Sequence, residues 1–199
     1  MLRNDLQRII SLFLTSRVRV KILKLFFMNP REKFHMRMIS RSIDEQINAV
    51  RRELISMEKS DFLISQKDGI KKYYLINPSF PFYNEFRSMI VKSFGLGFII
   101  FKNKRDLGNV KFAILSHTYI NREDSDQSNP DMLIVGEPNL DILEKLVKEA
   151  EELEGRKVYY SVISERDLEN AKKRNDPLIY SLSVLPRSMV MGTDEEFVV

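Results

Sequence analysis

Residues 36–74 read MRMISRSIDEQINAVRRELISMEKSDFLISQKDGIKKYY, and three patterns lie end to end in them: a short apolar helix, a longer amphipathic helix and a basic hairpin. In the longer helix Ile47, Val50, Leu54 and Met57 recur at the spacing that stacks side chains on one side, which makes that side a core face. The opposite face carries Glu45, Asn48, Ala49, Arg52 and Ser56, with Gln46 and Arg51 beside them. Asn and Arg bear the forked donors and acceptors that match base edges in a major groove, and a small Ala lets a helix approach closely. Asp44-Glu45-Gln46 is expected to open this helix with Asp44 as its N-cap, and Ser40-Arg41-Ser42-Ile43 to close the helix before it.

Beyond the helices, Phe62-Leu63-Ile64-Ser65 and Lys71-Lys72-Tyr73-Tyr74-Leu75 are β-prone runs around Gln66-Lys67-Asp68-Gly69-Ile70. Asp-Gly tolerates the positive φ of a tight hairpin turn. Lys67, Lys71 and Lys72 make the tip basic, and Arg37 and Arg41 extend the positive surface along the shorter helix. Two helices joined by a very short turn are a helix-turn-helix candidate. With a basic hairpin after them, residues 15 to 78 resemble the winged helix-turn-helix transcription regulators. The resemblance implies double-stranded DNA as the partner, held by Arg37, Arg41, Gln46, Asn48, Ala49, Arg51, Arg52, Lys67, Lys71 and Lys72.

Outward from this stretch, Leu6, Ile9, Ile10, Phe13 and Leu14 predict a short first helix. Thr15-Ser16 can cap the next, whose Val18, Ile22, Leu23, Phe26 and Phe27 point inward and whose Arg17, Arg19, Lys21 and Lys24 point out, until Asn29-Pro30 stops it. Asn77-Pro78 and Pro81 end the hairpin, and Phe82 to Phe94 reads as another helix, halted by Gly95 and Gly97. That helix serves equally well as a dimer surface or as a face buried on the chain's own second half.

The net charge of +4 over 199 residues is unequally shared. Residues 1–79 hold 16 Lys+Arg against 8 Asp+Glu, a net of +8, and residues 80–199 a net of −4. A basic half of this kind points to a polyanion. There is no cysteine, so disulfides and thiolate metal sites are excluded, which fits a cytoplasmic location. Apolar runs such as Phe98-Ile99-Ile100-Phe101 fall far short of the roughly 20 residues a membrane span requires. Arg3, Asp5, Gln7 and Arg8 break the opening stretch, so no signal peptide is expected.

From Phe98 the pattern is α, β, β, α, β, α, α, β: a helix to Lys104, a turn at Gly108-Asn109, strands at Val110 to Leu115, Met132 to Val135 and Lys157 to Ile163, then helices after Ser164 and from Pro177, and a last strand at Met189-Val190-Met191. An acidic amphipathic helix with Leu140, Leu143, Leu146, Val147 and Leu153 lies between the second and third strands. This half resembles the small nucleotidyltransferase domain of the DNA polymerase β type. That family shows Gly-Ser in the turn after its first strand, Asp-x-Asp entering the second, and a third acid on a later strand. Glycine and serine there cradle phosphates while the acids hold two magnesium ions.

Here Ser116-His117 stands for Gly-Ser, Asn129-Pro130-Asp131 for Asp-x-Asp, and Val158 to Ile163 has no carboxylate. The expected site is therefore degenerate: Ser116, His117, Asn129 and Asp131, with no catalytic residue, no metal and no cofactor. Glu123, Asp124 and Asp126 read as solvated loop acids. The expected organisation is α+β, with a winged helix at 1–79, a connecting helix at 80–97 and a nucleotidyltransferase-like domain at 98–199. The second domain would serve dimerisation, as a homodimer, or bind a nucleotide effector or protein partner. An active magnesium-dependent nucleotidyltransferase and a winged helix that binds protein instead of DNA are the two readings left open.

Overall fold

The computed structural model describes residues 15–198, so the helix expected at Leu6 to Leu14 lies outside the described residues. The chain is an α+β protein that divides into two compact units at Ile90/Val91. In the first unit α1 (Arg17–Met28) starts where Ser16 Oγ accepts from the Arg19 amide at 3.2 Å, and it ends at Asn29, whose side-chain amide donates to the Leu25 carbonyl at 2.8 Å. A two-residue strand β1 (Phe34–His35) leads into α2 (Met36–Ser42), which His35 caps by accepting from the Met38 amide. Helix α3 (Ile47–Lys59) follows a turn closed by Ser40, whose hydroxyl donates to the Glu45 carbonyl at 2.7 Å and whose carbonyl accepts from the Glu45 amide.

Two expectations fail in this turn. Asp44 does not cap α3: it adopts φ 50°, the left-handed geometry the tight reversal requires and that Asp tolerates, and Gln46 takes the cap position without a side-chain bond. Ile47 is not core, being 36% exposed, because the buried stripe begins one turn later with Val50, Leu54 and Met57.

Strands β2 (Leu63–Asp68) and β3 (Lys71–Ile76) are longer than their sequence runs, since Gln66 and Lys67 pair with Tyr73 and Lys72. Asp68 opposite Lys71 leaves a two-residue turn with Gly69 at φ +57°, where glycine occupies the first central position. The sheet order is β1-β3-β2, antiparallel throughout. Ile22, Phe26, Phe27, Ile39, Val50 and Leu54 are fully buried, and Phe27 and Phe86 both meet Phe62 edge-on. Each such side chain contributes about 1.5–3 kcal/mol.

Helix α4 (Tyr83–Ser93) spans the unit division. It ends at Ser93, just before the glycines expected to halt it, but these also begin the next helix: Gly95 opens α5 (Gly95–Lys102) and Gly97 lies inside it, where a Cβ would stand 2.4 Å from the Val91 carbonyl. Glycine is there for close approach of backbone to backbone. The second unit is built on a four-stranded sheet ordered β6-β5-β4-β7, from β4 (Gly108–Leu115), β5 (Met132–Pro138), β6 (Tyr160–Ile163) and β7 (Ser188–Met191). Only β5 and β6 run parallel. Gly108-Asn109, expected as a turn, pairs with Pro138 and Glu137 and belongs to β4, and β6 starts at Tyr160 rather than Lys157.

Alternation along β4 sends Ala113 and Leu115 to one face and Phe112 and Ile114 to the other, and both faces are covered. On the first lie α5, the short α6 (His117–Asn121) and α7 (Leu140–Glu154), through Leu96, Tyr119, Leu143 and Val147. On the second lie α8 (Glu165–Lys173), α9 (Pro177–Val184) and α10 (Asp194–Val198), through Leu168, Ile179, Leu182 and Phe197. Helices α6 and α10 are additions to the expected order. No helix among the described residues is long and apolar enough to cross a membrane.

Candidate functional site

In the first unit three glutamates, Glu45, Glu53 and Glu58, are turned onto cations. Glu45, expected on the outward face of α3, lies in the turn before it and accepts from Arg17 and Lys21, both at 2.7 Å. Those hydrogen bonds, Lys21 first, hold its carboxyl below the usual range. Lys21, expected to point out, also donates to the Ile43 carbonyl at 2.8 Å and so ties α1 to the turn. Glu53 accepts from Ser16 at 2.6 Å and Arg19 at 2.8 Å. Glu58 takes Lys72 at 2.7 Å and Ser65 at 2.5 Å, and these lower its pKa while raising that of Lys72.

A second group of cations is left without such a partner. The side chains of Arg37 and Arg41 on α2, of Arg51, Arg52 and Lys59 on α3, and of Lys67 and Lys71 on the hairpin are exposed and make no ion pair or hydrogen bond among the described residues. Asn48 and Gln46 are exposed beside them, and Ala49 is half-buried. Of the ten residues expected to touch DNA, Lys72 is thus the one already engaged by a carboxylate. Sequence reasoning missed Ile55 and Lys59, which are exposed on the same side of α3; Ile55 stands at i+7, i+4 and i+3 from Asn48, Arg51 and Arg52, a spacing that identifies it.

In the second unit the ends of β4 and β5 bring Ser116 and Asp131 together: the Ser116 amide donates to the Asp131 carbonyl at 2.9 Å, and Ser116 Oγ caps α6. His117 lies next to Asn121 and 3.5 Å from Glu123, while Asn129 is exposed and gives its amide to Asp126 at 2.8 Å. The Asp131 side chain is fully buried and saturated. It accepts from Arg156 at 2.6 Å, Ser125 at 2.7 Å and the Tyr159 amide at 3.0 Å.

Around it lies a network the sequence did not disclose. Glu154, almost fully buried, accepts from the Tyr119 hydroxyl at 2.6 Å and the Leu96 amide at 2.9 Å and pairs with Arg122, while Arg156 Nε is 3.7 Å away. Burial and then the Glu154 charge push the Tyr119 phenol well above its usual pKa. Arg122 and Arg156 stand 5.1 and 5.2 Å from the Tyr119 ring centre. Two guanidinium groups thus hold the carboxylates a divalent ion would need, and the residues present do not fit one. No group of three or more His, Asp or Glu that could hold a metal occurs among the described residues.

No family model matches the chain, and no curated protein matches it. Among solved structures, reduced HlyU from Vibrio cholerae N16961 aligns with a TM-score of 0.32 at 16% identity, over 45% of this chain and 86% of that one. A likeness of that size carries no weight beside the geometry.

Proposed function

We propose that the protein is a winged-helix DNA-binding regulator whose second domain has a nucleotidyltransferase-like fold and transfers nothing. In this reading residues 1–79 hold the DNA, 80–97 connect, and 98–199 serve as a homodimer interface or a seat for an effector or partner. The observation that carries it is the sorting of charge in the first unit: Glu45, Glu53 and Glu58 are neutralised internally, while seven Arg and Lys side chains on α2, α3 and the hairpin, Lys59 included, stay free among the described residues. Free cations on an exposed helix and an adjacent hairpin suit a phosphate backbone, and Asn48 and Arg52 suit base edges. The absence of catalysis is supported by Asp131, whose oxygens are already held by Arg156, Ser125 and Tyr159.

The experiment is a titration of the full chain on labelled duplexes. Arg37→Ala or Arg41→Ala should weaken binding to every sequence alike, whereas Asn48→Ala or Arg52→Ala should cost about 1–3 kcal/mol on a selected site and little on random DNA. Failure to bind any duplex would favour the protein-interaction reading. Magnesium-dependent labelling of an acceptor by a nucleoside triphosphate would restore the enzyme reading.

A further inference from the structure

Helix α3 carries an apolar side chain in the middle of its free polar face. Ile55 is 44% exposed and lies on the same side as Asn48, Arg51 and Arg52, while Ile47, 36% exposed, flanks them as the first residue of the helix. Val50, Leu54 and Met57 face the other way and supply the core, so Ile55 lies off the buried stripe. A branched hydrocarbon placed at contact distance between amide and guanidinium groups is matched in a major groove by one base feature, the 5-methyl group of thymine.

Resting on the DNA-binding reading above, we infer that Ile55, flanked by Ile47, is a specificity-determining residue that selects thymine by its methyl group, next to the bases read by Asn48 and Arg52. Burying one methyl between Ile55 and the groove is equivalent to about fourfold in affinity. Methyl contact adds no charge, so the preference should persist at salt concentrations that weaken the phosphate contacts.

The test selects a preferred duplex from a random pool with the full-length protein, then replaces its thymines one at a time by uracil, which removes only the methyl. Wild type should lose about threefold to fourfold at one or two positions. Ile55→Ala, exposed and favourable in a helix, should keep its melting temperature, bind the thymine duplex more weakly by a similar factor, and no longer distinguish the two bases at one of those positions. Specific binding indifferent to every uracil substitution overturns the inference and leaves the DNA reading standing. So does an Ile55→Ala variant that keeps full discrimination. If no duplex is enriched or bound at all, the DNA-binding reading falls and takes this one with it.

Discussion

Asp131 is fully buried, and its charge is tolerated only because Arg156, Ser125 and the Tyr159 amide surround it. Removing one partner of such a pair strands the other in a low-dielectric interior, a larger loss than the pair itself contributes. Arg156→Ala should therefore cost the second unit about 3 kcal/mol in urea unfolding; a variant as stable as wild type would mean that water reaches the carboxylate. Glu45 differs, since its partners are partly exposed and its effect depends on pH. Lys21 and then Arg17 lower its carboxyl below the ordinary 4.5, so the folded pKa is below the unfolded one. The stabilisation is complete above that ordinary value and is lost as pH falls through the lowered one. The gap in melting temperature between wild type and Glu45→Gln should be open near about pH 7 and close on acidification; a gap independent of pH would show that the charge is not involved.

At the scale of elements, Gly97 lets α5 sit against the Val91 carbonyl, and the helix rule reverses there. Alanine inside a helix ordinarily gains about 0.5–1 kcal/mol over glycine. Gly97→Ala should instead lose about 1–3 kcal/mol by thermal melting, because its Cβ would stand 2.4 Å from a backbone oxygen that cannot turn aside. A gain would show that α5 can move away. The same glycine shows where sequence reading ends: beside Gly95 it reads as a stop, and only tertiary packing reveals a close approach. Ser16 was legible as a cap because the signal is local, and the strand at Phe112-Ala113-Ile114-Leu115 was legible as a continuous apolar run because both faces of the sheet are covered. Asp44 misled because one side chain suits both an N-cap and a left-handed turn. The basic residues of α2, α3 and the hairpin were readable one by one; which of them stay free was not, because that depends on Glu45, Glu53 and Glu58 meeting cations distant in sequence. The Asp131–Arg156 pair was hidden for the same reason, its members lying 25 residues apart.

For the whole molecule, the +8 of residues 1–79 against the −4 of the rest concentrates positive charge where cations remain unpaired. An electrostatic interface of this kind releases counterions on binding, so its affinity must fall linearly with salt on logarithmic axes. The most direct measurement is a salt series for full-length protein on a duplex of fixed sequence, run beside Arg37→Ala, Lys67→Ala and Arg19→Ala. Wild type should show a steep negative slope. Arg37→Ala and Lys67→Ala, each removing a free cation, should reduce it by about 1, and Arg19→Ala should leave it unchanged because Glu53 already holds that guanidinium. No binding at low salt, or a slope the same in wild type, Arg37→Ala and Lys67→Ala, would contradict the assignment of this surface to DNA.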